Sequence, residues 1–144
     1  MFGVYPFDVF NSPRLDIPAD LGRSDSPSDA IVHWLKTVCS NNAEAIVDLY
    51  APNGVLLGTV AENIKFGKNE IASYFDMFVQ KQPCGEISSM AVQNYGDIAV
   101  VNGNYTFEIN NNGDRMKVPA RYTFVLRMMN GRWKILTHHS SERP

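Results

Sequence analysis

The chain predicts an α+β domain: three helices come first, and a curved antiparallel sheet follows. Three observations carry this expectation. Apolar residues recur at helical spacing only ahead of Pro83. Beyond it the period changes to two, in four runs rich in Val, Ile, Tyr, Phe and Thr. Turn-forming clusters, headed by Asn130-Gly131, separate those runs closely enough for neighbouring strands to meet as hairpins. Helices and strands segregated in this way make α+β architecture rather than alternating α/β units. At 144 residues the chain has room for one core and too little length to suggest two.

Residues 1–26 show neither period, and Pro6, Pro13 and Pro18 interrupt them. Phe2, Tyr5, Phe7 and Phe10 are too aromatic for a plain disordered tail, so an extended arm packing on its own or a neighbour's surface is expected. The domain proper is expected over 27–144. Its first helix starts with Ser26 as N-cap, Pro27 at the first helical position and Asp29 in the first turn. Ala30, Ile31, Trp34, Leu35 and Val38 make one apolar face, and Asn41-Asn42 ends the helix. Asn42 caps a short second helix running from Ala43 to about Tyr50. Ala51-Pro52-Asn53-Gly54 reads as a turn, followed by a short buried strand, Val55-Leu56-Leu57. A third helix is expected from about Asn69 to Gln80, with Ile71, Tyr74, Phe75, Phe78 and Val79 on one face.

Four strands are then expected, over Ile87–Gln93, Ile98–Ile109, Arg115–Met128 and Arg132–Ser140. Gly96, Gly103 and Gly113 mark places where bends or bulges cost little. A sheet wrapped over helices leaves a cone with an open mouth, a natural ligand pocket.

Composition removes several function classes. The formal net charge is −2, so no basic excess exists to neutralise phosphates, and nucleic acid is not an expected partner. No apolar run approaches the roughly 18–20 residues of a membrane span. The N-terminus lacks the basic and apolar regions of a secretory signal, which makes a cytoplasmic location the expectation. Cys39 and Cys84 have no metal or redox spacing; free thiols are expected, with a disulfide between them left open. No glycine-rich dinucleotide fingerprint is present, and no cofactor or metal is expected.

The stretches Asp48-Leu49-Tyr50-Ala51, Gly54-Val55-Leu56, Tyr74-Phe75, Ala120-Arg121-Tyr122-Thr123-Phe124, Gly131-Arg132-Trp133-Lys134-Ile135 and His138-His139-Ser140-Ser141 with Pro144 resemble the nuclear transport factor 2-like superfamily. Within it they are most similar to the association domain of calcium/calmodulin-dependent protein kinase II and its free-standing bacterial SgcJ/EcaC-type relatives. The resemblance covers about Pro27 to Pro144. It implies a cone-shaped, cystatin-like α+β fold, a pocket in the cone, and a homodimer, or a higher oligomer, formed through the outer face of the sheet. The chain carries no glycine-rich nucleotide loop, no lysine strand and no Asp-Phe-Gly, so no kinase activity of its own is expected. A basic amphipathic helix for calmodulin is also missing.

Candidate site residues follow. His138 and His139 are neighbours, so on a strand one faces the cone and the other faces out. Parity does not settle which, because a bulge swaps the answer. The inward one is a candidate acid or base, or a hydrogen-bonded structural histidine. Arg121, mid-strand, either binds a carboxylate in the pocket or joins an interface ion pair. Tyr50, Tyr74, Tyr105 and Tyr122 lie on elements that face the cone in the family. They are ligand-binding candidates together with Trp133, for which core packing is the alternative. Ketosteroid isomerase-like relatives carry a catalytic carboxylate on the strand after the second helix; here that strand is Val55-Leu56-Leu57, without an acid.

The expected function is thus a dimeric cone-fold domain binding a small, partly apolar molecule, neutral or anionic. The alternatives are a small isomerase, dehydratase or cyclase using a late-strand histidine, and a pure oligomerisation module.

Overall fold

The computed structural model describes residues 3–5, 26–59 and 61–144. Helix α1 (Pro27–Cys39) begins as its sequence dictates, with the Asp29 amide donating to the Ser26 hydroxyl at 3.1 Å. Helix α2 (Ala43–Val47) is capped by the Asn42 side chain, which accepts from the Ala45 amide at 3.1 Å. Helix α3 (Gly67–Phe78) starts before Asn69: Gly67 adopts φ +75°, and the Glu70 carboxylate reaches back to accept from the Phe66 amide at 2.9 Å. A 3₁₀ turn, Val79–Lys81, prolongs it until Gln82 leaves the helical region at φ 49°.

The strands are β1 (Gly3–Tyr5), β2 (Tyr50–Leu57), β3 (Lys65–Phe66), β4 (Cys84–Tyr95), β5 (Ile98–Asn111), β6 (Asp114–Met129) and β7 (Arg132–Glu142). They form one curved, unclosed sheet in the order β1-β4-β5-β6-β7-β2-β3. Strands β4 to β7 run as the expected antiparallel meander, through turns where Asn112-Gly113 and Asn130-Gly131 all take positive φ, as two-residue hairpin turns demand.

Two features of the sheet correct the sequence reading. The sheet is mixed, because β2 runs parallel to β7. The expected Ala51–Gly54 turn is instead part of β2: between Tyr50 and Val55 the register against β7 shifts, so the extra residues bulge without ending the strand. The expected arm over 1–26 lies outside the described residues except for Ser26 and for β1, which pairs antiparallel with β4.

The core lies between the helices and the concave face. Ile31, Trp34 and Val38 of α1 and Ile71 and Phe75 of α3 meet Tyr105, Phe124 and Leu126 of the sheet. Gly103 stands where β4 carries a bulge between Ile87 and Ser89. A Cβ there would run into the Ser89 carbonyl, so the close approach of the two strands requires glycine. Cys39 at the end of α1 is disulfide-bonded to Cys84 at the start of β4, a correction to the expectation of free thiols. The staple ties the helix layer to the sheet, and no spacing signature announces it because its partners are 45 residues apart and meet only after folding.

Candidate functional site

Between α1, α3 and the concave sheet face is a cavity of about 330 Å³. Its walls are mostly aromatic: Trp34 from α1; Tyr74, Phe75 and Phe78 from α3; Tyr105 and Phe107 from β5. The helical spacing in α3 and the two-residue spacing in β5 aim these rings the same way. Ile109, Val118 and Ala120 continue the apolar surface, and exposed Lys81, Asn111, Met116 and Glu142 form the rim.

One wall is polar. Strand β7 bulges at Leu136, because Val125 of β6 pairs with Thr137 whereas Leu126 pairs with Ile135. The bulge absorbs one residue, so Ile135, His138 and Ser140 are all buried on the inner face, and His139 is exposed on the outer one. His138, 2% exposed, stacks on Phe124 with ring centroids 3.9 Å apart and meets the edge of Trp34 at 5.0 Å. Its Nδ1 lies 2.8 Å from the Tyr50 hydroxyl, which accepts from Trp34 Nε1 at 3.2 Å. Its Nε2 lies 3.2 Å from the Tyr105 hydroxyl. Tyr105 donates to Ser140 Oγ at 2.7 Å, and Ser140 Oγ lies 2.7 Å from Thr59 Oγ1.

This wall carries no charge. Burial, with the neighbouring His139 adding to it, pulls the His138 pKa down from 6.5 to about 3, so the imidazole is neutral near pH 7. Burial raises the Tyr50 and Tyr105 phenols far above their usual range and pushes Tyr74 up to about 12. Among the described residues no group of three or more His, Cys, Asp or Glu could hold a metal ion.

The sequence candidates separate cleanly. Tyr74, Tyr105 and His138 line the cavity. Tyr50 sits behind that surface, supporting His138. Tyr122 is buried and spends its hydroxyl on the Ser89 carbonyl at 2.9 Å, away from the cavity lining. Trp133 is half-buried against the edge of the core, with its Nε1 unpartnered, and does not reach the cavity. Arg121 is exposed on the outer face, between the buried, inward-facing Ala120 and Tyr122, so it is no pocket residue. Sequence reasoning missed Thr59, Ser140, Phe75, Phe78 and Phe107. Ser140 carried a usable signal, since it stands two residues from His138 and shares its face.

A curved sheet over three helices with an aromatic chamber between them defines the nuclear transport factor 2-like, cystatin-like class. Two solved structures below 25% identity show that fold. An NTF2-like protein from Novosphingobium aromaticivorans has TM-score 0.67 and 16% identity, over 79% of this chain and 77% of that one. A ketosteroid isomerase-like protein from Erwinia carotovora atroseptica has TM-score 0.67 and 21% identity, over 80% of this chain and 92% of that one. The match to the calcium/calmodulin dependent protein kinase II association domain model spans residues 29–144, and the chain belongs to that family. A protein from Xanthomonas campestris named for the same association domain is 38% identical with TM-score 0.76, over 83% of this chain and 90% of that one. No curated protein matches the sequence.

Proposed function

We propose that this protein binds a small, largely apolar molecule inside its cone and assembles as a homodimer through the outer face of its sheet. The observation that carries the reading is the cavity of about 330 Å³, with aromatic walls and one hydrogen-bonding side. Its volume lies at the lower end of the roughly 300–1,000 Å³ range of small-molecule pockets, which suits a ligand of one or two rings. A module serving assembly alone gains nothing from a chamber that its own side chains leave unfilled.

The acid–base enzyme alternative finds less support. His138 engages both ring nitrogens in hydrogen bonds and is neutral across the physiological range, while His139 faces away from the cavity. The anionic ligand expected from Arg121 loses its cation for the same geometric reason. The disulfide also bears on location: such bonds persist in oxidising compartments, which fits better than the cytoplasm expected from free thiols.

The test is a thermal-shift panel of one- and two-ring compounds on the wild type and on Val118→Trp, whose indole would fill the cavity. A compound present at about 100 times its Kd should stabilise the wild type by about 2.7 kcal/mol and leave the variant unmoved. If nothing in the panel shifts the wild type, or the variant responds equally, the binding reading fails.

A further inference from the structure

The polar wall has a direction. Indole Nε1 only donates, so the Tyr50 oxygen accepts from Trp34. Tyr105 gives its one proton to Ser140, so in the contact with His138 it must accept from Nε2. A neutral imidazole carries one proton, hence Nδ1 is the acceptor and Tyr50 donates to it. The chain therefore runs Trp34 to Tyr50 to His138 to Tyr105 to Ser140, and on to Thr59. Six polar protons serve five contacts, which leaves one hydroxyl proton over at the Ser140–Thr59 pair. Both residues line the cavity; Ser140 is 8% exposed and Thr59 is half-buried.

A hydroxyl proton without a protein acceptor, facing an apolar cavity, is a docking point, and a molecule in the cavity can supply the acceptor. The charge balance limits what the molecule can be. Among the described residues, the charged ones lining the cavity are Lys81 and Glu142, both exposed at the rim. A carboxylate at the inner wall would be desolvated with no cation beside it and one neutral donor to hold it. The surrounding rings favour a flat, aromatic partner.

We infer that the cone selects an uncharged aromatic molecule bearing a hydrogen-bond acceptor, such as a ring ketone, whose oxygen docks on the Ser140–Thr59 hydroxyl pair. This rests on the binding reading above and narrows it. His138 acts as a positioning residue: held as the Nε2–H tautomer, it passes the direction set by Trp34 to the hydroxyls that meet the ligand. Reversing that direction would leave the spare proton at Tyr50, outside the cavity lining.

Three two-ring probes of similar bulk test the inference by calorimetric titration into the intact chain: 1-tetralone, tetralin and 1-naphthoate. The ketone should bind roughly fivefold to tenfold tighter than tetralin, the worth of one neutral hydrogen bond, with naphthoate weakest. The carbonyl stretch of bound 1-tetralone should lie at lower wavenumber than in hexane. Equal binding of ketone and hydrocarbon, tighter binding of naphthoate, or an unshifted carbonyl would overturn the inference while leaving a binding cavity in place. Failure of all three probes to bind would remove the binding reading itself, and this inference with it.

Discussion

The two faces of one sheet differ sharply in chemistry, and adjacent residues divide them. On the concave face, His138, Ser140, Ala120 and Tyr122 are buried. On the convex face, His139 and Arg121 are exposed, and Thr123 hydrogen-bonds across strands to Asn102. Inside, Trp34, Tyr50, His138 and Tyr105 each hand a hydrogen bond to the next. Outside, exposed groups such as Arg121 and His139 are open to water. Strand alternation thus lets one sheet line a chamber with one face and present a separate outer surface with the other. The contrast predicts large effects inside and small ones outside.

The largest effect should come from the staple that ties α1 to the sheet. Linking residues 45 apart removes about 4 kcal/mol of chain entropy from the unfolded state, on the chain-entropy account. Denaturant unfolding of Cys39→Ser/Cys84→Ser should show a loss of that order. Because α1 also carries Trp34, the loss should be accompanied by a changed tryptophan emission spectrum. A loss below about 1 kcal/mol would mean that α1 is held by packing alone.

Next comes the histidine pair. His138→Ala removes the stacking on Phe124 and leaves the buried hydroxyls of Tyr50 and Tyr105 without their partner, so a loss of about 3 kcal/mol is expected. The wild type should also lose stability as pH falls below 6.5. In the window from 6.5 down to about 3 the unfolded chain binds a proton at His138 that the folded chain refuses. The slope from this group is at most about 1.4 kcal/mol per pH unit. The carboxylates contribute in the lower part of the same window, so the measurement is the difference between wild type and His138→Gln. Parallel pH profiles would show that His138 is not the neutral link described above.

The contrast also explains what could be read from the chain beforehand. Local chemistry was legible: Ser26 and Pro27 start α1, Asn42 caps α2, and Asn130-Gly131 turns β6 into β7. What depended on pairing over distance was not. The parallel seat of β2 on β7 has no local signal, so Ala51–Gly54 looked like a turn. One bulged residue, Leu136, decides which histidine enters the chamber, and a bulge depends on cross-strand register as well as on composition. Arg121 was open to two readings, a pocket residue or half of an interface ion pair, because a mid-strand cation was assumed to be buried; its exposure on the outer face removes the first. The chamber itself arises from curvature, and its hydroxyl pair joins Thr59 to Ser140 across 81 residues of chain.

The smallest effect on the folded protomer should come from the convex face, and it decides whether that face has a role. Arg121 forms no ion pair with a described residue, and its strand neighbours across the sheet are Asn104 and Ser141. Arg121→Glu and His139→Glu should each change the unfolding free energy of the protomer by no more than about 0.5 kcal/mol. If two copies meet through this face, a two-fold axis brings each substituted residue to the same interface, so both copies carry the added charge into it. Sedimentation should then show a dimer for the wild type and a shift toward monomer for Arg121→Glu, with ligand binding in the cone preserved. A wild type that sediments as a monomer at all concentrations would remove the interface and leave the convex face as plain solvated surface. A variant that stays dimeric but loses ligand would break the contrast itself, because the two faces would then be coupled through the strands they share.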